Sequence, residues 1–105
     1  MAKLPEVIRV GPYDIQVEVW THQQACAAQK YGEFCALELT VRVDGSMPHW
    51  QMVDSLLHEL GHAIWWAYSV QRGDEEERIV AIMALAWAQI FRDTPALLPW
   101  LACEN

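Results

Sequence analysis

Apolar and polar residues alternate along the first half of the chain, and the period then changes. In "YDIQVEVW" the apolar set Tyr13, Ile15, Val17 and Val19 alternates with Asp14, Gln16 and Glu18. "LELTVRV" repeats the pattern, with Leu37, Leu39, Val41 and Val43 set against Glu38, Thr40 and Arg42. A period of two sustained over seven or eight residues predicts strands with one buried face. "VIRV", residues 7–10, is a shorter strand candidate, and Gly11-Pro12 reads as the turn into the next strand. "THQQACAAQKYG", residues 21–32, is polar and Ala-rich, which fits a loop or a short helix ending at Gly32.

"VDGSMPHW" ends the alternation. Asp44-Gly45 signals a turn, Ser46 is a good helix N-cap, and Pro48 suits a first helical turn. From there Val53, Leu56, Leu57, Leu60, Ile64 and Ala67 recur at helical spacing, which predicts a helix over about 47–70 that stops between Tyr68 and Gly73. A second helix, "DEEERIVAIMALAWAQIFRD", spans about 74–93 and must end before Pro95. Thr94-Pro95 can cap a short last helix in "ALLPWL". Strands within about 7–43 followed only by helices predict an α+β fold for residues 1–105 as a single domain: a small antiparallel sheet with helices packed on one face.

Composition narrows the function classes. At 105 residues one domain buries about two-thirds of its unfolded surface. The net charge is −7 and the seven basic residues are scattered, which argues against nucleic acid or an anionic membrane as partner. No apolar run reaches the ~18 residues of a membrane span. "MAKLPEVIRV" lacks the apolar core and cleavage site of a signal peptide, so the default expectation is a cytoplasmic protein. Cys26, Cys35 and Cys103 are odd in number and at no metal-type spacing. In a reducing compartment they read as thiols, Cys26 and Cys35 packing as small apolar residues rather than acting as nucleophiles.

"HELGH", residues 58–62, carries the candidate chemistry. His58 and His62 are four apart, so on a helix they share a face, with Glu59 beside them. This is the H-E-x-x-H arrangement, in which two imidazoles hold Zn²⁺ and the Glu activates a bound water. The plainer reading is two polar residues on the rim of a core helix. Against it, Leu56-Leu57 and Ala63-Ile64 bracket the motif, so the imidazoles should be at least partly buried and in need of a shared partner. Gly61 costs ~1 kcal/mol relative to Ala in mid-helix, which makes sense if another backbone approaches there.

A catalytic zinc needs a third protein ligand and one position open to water. Beyond His62 the acids are Asp74, Glu75, Glu76, Glu77, Asp93 and Glu104, and no His or usable Cys lies in the second helix. Glu77 shares its helical face with Val80, Ala81, Ala84 and Ala88, small side chains that would let this helix press against Gly61, so it is the first choice. Glu76, in phase with Ile79, Met83 and Ile90, is the alternative third ligand, with His22 and His49 in reserve. The triplet also has an explanation without metal. Asp74-x-x-Glu77 resembles a capping box, and acids in a first turn complement the helix dipole.

These residues resemble the gluzincin-type zinc metallopeptidases, in which HExxH is followed by a helix bearing a Glu ligand. More closely, the chain is similar to small phage-encoded metallopeptidase-like proteins, and more distantly to the ImmA/IrrE type. The features in common are "YGEF" (31–34), "LELTVRV", "HELGH", "EEERIV" (75–80) and "RDTP" (92–95), over roughly residues 31–101. The resemblance implies a minimal zincin-like fold, His58 and His62 as ligands, Glu59 as general base, and Glu77 or Glu76 as third ligand. It also implies an edge strand, here 37–43, that pairs with an extended substrate, and a phage-infected or lysogenic bacterial host as setting. The spacing from HELGH to the acidic triplet is short for a gluzincin, and no oxyanion stabiliser stands out, Tyr68 reading better as packing.

The expected function is zinc-dependent hydrolysis of a peptide bond in an extended protein segment. The alternative is a catalytically weak or inactive zinc-containing module that binds a protein partner. Six Trp exceed what one small core needs, and Trp50, Trp65, Trp66 and Trp100 are candidates for an exposed patch. A third option is a metal that only staples the fold.

Overall fold

The computed structural model describes residues 2–103. Strand β1 (Val7–Val10) turns at Gly11 into β2 (Tyr13–Trp20), and helix α1 (His22–Ala28) follows. Strands β3 (Gly32–Cys35) and β4 (Thr40–Asp44) form a hairpin, after which come α2 (His49–Ala67), α3 (Glu76–Asp93) and α4 (Leu97–Ala102). The α+β class therefore holds. The strand order is β1-β2-β4-β3.

The sheet is mixed rather than wholly antiparallel. β1 pairs antiparallel with β2, and β3 antiparallel with β4, but β2 and β4 run parallel, with Val17 opposite Val41 and Val19 opposite Val43. Parallel neighbours need a crossover, and the segment from 21 to 39 supplies it. Its first part is helical because Thr21 caps α1: the Thr21 side chain accepts from the Gln24 N–H, and the Gln24 side chain accepts from the Thr21 N–H. The helix ends at Gln29, which takes a left-handed conformation, and Gly32 belongs to β3 rather than to a helix stop.

The strand expected at 37–43 starts only at Thr40. Residues 36–39 form the hairpin turn, in which Leu39 has φ 49° and its N–H bonds to the Ala36 carbonyl. Leu37 continues the alternation in sequence but is 99% exposed. The partner that the alternation missed is "GEFC", and β4 lies inside the sheet between β2 and β3.

Ile8, Val10, Ile15 and Val41 meet Val53, Leu56, Leu60, Ala63 and Ile64 of α2, Ala86 and Ile90 of α3, and Leu97 and Trp100 of α4 in one core. α2 lies over β3 and β4, and α3 lies over β1. On β4, Arg42 binds Glu33 at 2.8 Å, Glu18 at 2.9 Å and also Glu38, so one guanidinium ties β2, β3 and the hairpin turn together. Those carboxylates hold its pKa above the ordinary arginine value.

Both helix starts differ from expectation. Ser46 does not cap α2, because its hydroxyl donates to Asp44 Oδ1 at 2.6 Å, and α2 begins after Pro48 without a side-chain cap. The capping box read from Asp74 and Glu77 does not form: the N-cap of α3 is Glu75, again without a side-chain hydrogen bond. Asp74 instead accepts from the Gln71 N–H and pairs with Arg78.

The two sheet edges are finished differently. Along β1, Gln89 Oε1 accepts from the Gly11 N–H at 2.8 Å, and its Nε2 donates to the Arg9 carbonyl at 3.0 Å. Thr94 Oγ1 accepts from the Arg9 N–H at 3.0 Å. Side chains of α3 and its C-terminus thus occupy this edge. Gln89→Leu should leave both backbone groups without their partner and destabilise the fold by about 1–3 kcal/mol, measured by chemical denaturation.

Candidate metal centre

α2 turns Val53, Leu56, Leu60, Ala63 and Ile64 into the core, which fixes the direction of every other side chain on the helix. His58 and His62 project on the solvent side and are exposed, so the expected partial burial of the imidazoles is not met. Their convergence comes from helical spacing alone. The two Nε2 atoms are 3.2 Å apart and the rings meet edge to face. Two nitrogens on a tetrahedral zinc at ~2.0–2.1 Å would be separated by about 3.3 Å. His58, Glu59 and His62 each offer a ligand atom within 4.8 Å of the others, a group that can hold a metal ion.

Glu59 is half-buried at the side of α2 facing β3. Gly32 makes the room for it. A Cβ on Gly32 would lie 3.3 Å from Glu59 Cγ and 2.6 Å from the Arg42 carbonyl oxygen. The close approach anticipated at Gly61 is absent, since a Cβ there would meet nothing within 4 Å.

Glu59 also stands between two cavities. One, of about 700 Å³, opens between α1, the start of β3 and α2, and includes His22, Cys26, Asp44, Asp54, His58 and Glu59 in its walls. The other, of about 500 Å³, runs along β3 and is bounded by Gly32, Phe34, Glu59, His62 and Trp66. Compared with models of protein families, with curated proteins and with solved structures, the chain matches none.

Glu76 and Glu77 do not join the group formed by His58, Glu59 and His62. Both are exposed in the first turn of α3. Glu77 is in phase with Val80, Ala81, Ala84 and Ala88, but these make up the solvent face of α3 rather than a contact with Gly61. α3 buries Ala86, Gln89 and Ile90 instead, with Ile79 and Met83 half-buried, so the phase shared by Glu76 is the inward one. Small side chains marked no helix contact here, since α3 rests on β1 and leaves Gly61 open.

The reserve histidines have other partners. His49 Nε2 is 3.2 Å from the Leu101 carbonyl, and its ring packs edge-on against Trp50 and Trp100. His22 lies across the larger cavity, beside Cys26 and Asp44. Tyr68, the C-cap residue of α2, packs against the core. Trp100 is buried, whereas Trp50, Trp65 and Trp66 are exposed, Trp66 with its ring tilted against Tyr13 and Phe34. Cys26 is exposed rather than packed. Its pairing with His22 was legible as a second i, i+4 spacing, "HQQAC", which the stronger HELGH signal overshadowed.

The glycines give a paired prediction. Gly32→Ala should cost about 1–3 kcal/mol, because a methyl group cannot avoid the Arg42 carbonyl without shifting the β3–β4 pairing. Gly61→Ala should instead stabilise the protein by roughly 0.5–1 kcal/mol, as helix propensity is gained with no clash. Denaturation midpoints of the two variants check both signs.

Proposed function

We propose that His58 and His62 bind Zn²⁺ and that the site hydrolyses a peptide bond in an extended protein segment. The observation that carries this reading is the convergence of the two Nε2 atoms at 3.2 Å beside the Glu59 carboxylate. Bound zinc would supply Lewis acidity to the scissile carbonyl and lower the pKa of its water. Glu59, held at the junction of the two cavities, would serve as the general base that accepts a proton from the attacking water and as the acid that returns it to the leaving amine.

The substrate edge is β3, not the 37–43 segment, because β4 is flanked on both sides. Asp44 N–H bonds to the Tyr31 carbonyl, so by antiparallel alternation the backbone groups of Gly32 and Phe34 face outward. Both residues wall the cavity that holds Glu59 and His62, so a peptide added along β3 passes the site. The third ligand is proposed from Glu76 or Glu77, as the resemblance implies. A host cytoplasm, in a phage-infected or lysogenic bacterium, is proposed on the same basis.

A second reading is a zinc-containing protein-binding module with little or no turnover. The exposed Trp50 and Trp65 on α2 favour it, as does the absence of Glu76 and Glu77 from the convergent group.

Elemental analysis of protein purified without added metal should find about one zinc per chain. Glu59→Gln should retain that zinc while abolishing cleavage of unfolded protein substrates, and loss of zinc in this variant would make Glu59 structural. Full zinc retention with no cleavage by the wild type would favour the binding module.

Zinc affinity measured by competition with a chelator should identify the third ligand. Alanine at the true ligand lowers affinity by more than about 100-fold, and alanine at the other glutamate leaves it nearly unchanged. Near-native affinity in both Glu76→Ala and Glu77→Ala would remove α3 from the site.

A further inference from the structure

The wall of the larger cavity formed by α1 and the end of β4 carries a second constellation. His22 and Cys26 are one turn apart on α1, with His22 Nε2 3.4 Å from Cys26 Sγ. On its other side the His22 ring turns Nδ1 toward β4 and the turn that follows. Nδ1 is 3.8 Å from Asp44 Oδ2 and 3.3 Å from Ser46 Oγ. Asp44 is only 3% exposed. Hydrogen bonds from the Ser46 hydroxyl and backbone N–H, followed by attraction to His22, hold its carboxyl below the usual carboxylate range.

This arrangement determines which ring nitrogen carries hydrogen. An ionised Asp44 can only accept. The Ser46 hydroxyl proton is directed to Asp44 Oδ1 at 2.6 Å, so toward His22 the Ser46 oxygen also accepts. Nδ1 faces acceptors alone and must bear the N–H. In the neutral ring Nε2 then bears the lone pair, and it points at the thiol. An acid orienting an imidazole that in turn faces a nucleophile is the arrangement that activates weak nucleophiles.

We propose that Cys26 is a base-assisted thiol, with His22 as proton acceptor and Asp44 as the residue that positions the ring, and that it reacts with low-molecular-weight disulfides. The thiol proton moves from Sγ to His22 Nε2, and the thiolate attacks one sulfur of the disulfide. The S–S bond breaks, a mixed disulfide forms at Cys26, and the departing thiolate takes the proton back from His22. Thiol and disulfide are exchanged for disulfide and thiol, and no further oxidant is needed. The adduct would lie in the cavity that His58 and Glu59 share. The other charged or titratable groups bordering that cavity are Lys30, Tyr31 and Asp54. The assignment does not depend on metal at His58 and His62, because none of its atoms belongs to that group.

The test follows the site of modification by oxidised glutathione at neutral pH, using peptide mass spectrometry over time. Cys26 should be modified at least about tenfold faster in the folded protein than in the same chain unfolded in urea, where the relay is lost. His22→Gln should bring the folded rate down to the unfolded one; the His22 side chain is 72% exposed, so the substitution leaves the core intact. A folded rate no faster than the unfolded one, an unchanged rate in His22→Gln, or faster modification at Cys35 or Cys103 would each overturn the proposal. The result stands apart from the zinc reading, since neither zinc content nor peptide cleavage enters the measurement.

Discussion

The seating of α2 on the sheet is the contact on which the rest depends. Val53, Leu56, Leu60, Ala63 and Ile64 form one stripe, and its burial against β3 and β4 leaves α2 no freedom to rotate. With the stripe fixed, helical geometry sends His58 and His62 outward and Glu59 sideways to Gly32. A rotation of one residue would bury an imidazole or drive the Glu59 carboxylate into the core, and both outcomes are costly. The grouping of His58, Glu59 and His62 is thus a by-product of core packing.

The same core explains why the two edges of the sheet differ. α3 docks on β1 through Ala86 and Ile90, which brings Gln89 and Thr94 against the outer backbone groups of Arg9 and Gly11. The Gln89 amide also donates to Asp93, whose carboxyl is lowered to about 2 by Arg92 and by that bond. No comparable set of side chains is found along β3 among the described residues, and there the outward backbone groups stand beside Glu59 and His62. A strand edge is a template for another chain unless it is blocked. The blocked edge is the one opposite β3.

α1 shows how a short, independently capped helix adds chemistry to a site it does not build. Thr21 and Gln24 stabilise it locally, so His22 and Cys26 can face the cavity without contributing to the core. Asp44 reaches His22 only because the parallel β2–β4 pairing places the end of β4 beside Trp20, just before α1 begins. The cavity, the Cys26 thiol and the His58–Glu59–His62 group are therefore neighbours through topology, although their residues are separated by up to 40 positions in the chain.

What the sequence determined by itself was whatever depends on local periodicity. The stripe of α2, the extent of α3, the α+β order and the convergence of His58 with His62 all follow from spacings of two to four residues. Tertiary structure decided everything set by contacts between distant segments. The "LELTVRV" alternation crosses the 36–39 turn because Leu37 keeps the pattern while facing solvent, and only the pairing of Cys35 with Thr40 shows where β4 begins. The close approach falls at Gly32 rather than Gly61, because the backbone that meets α2 is a strand, while α3 lies over β1. The small side chains beside Glu77 looked like a helix contact, yet they face water, since docking on β1 selects the opposite side of α3. Spacing along a chain fixes which residues share a face, and only packing fixes what that face meets.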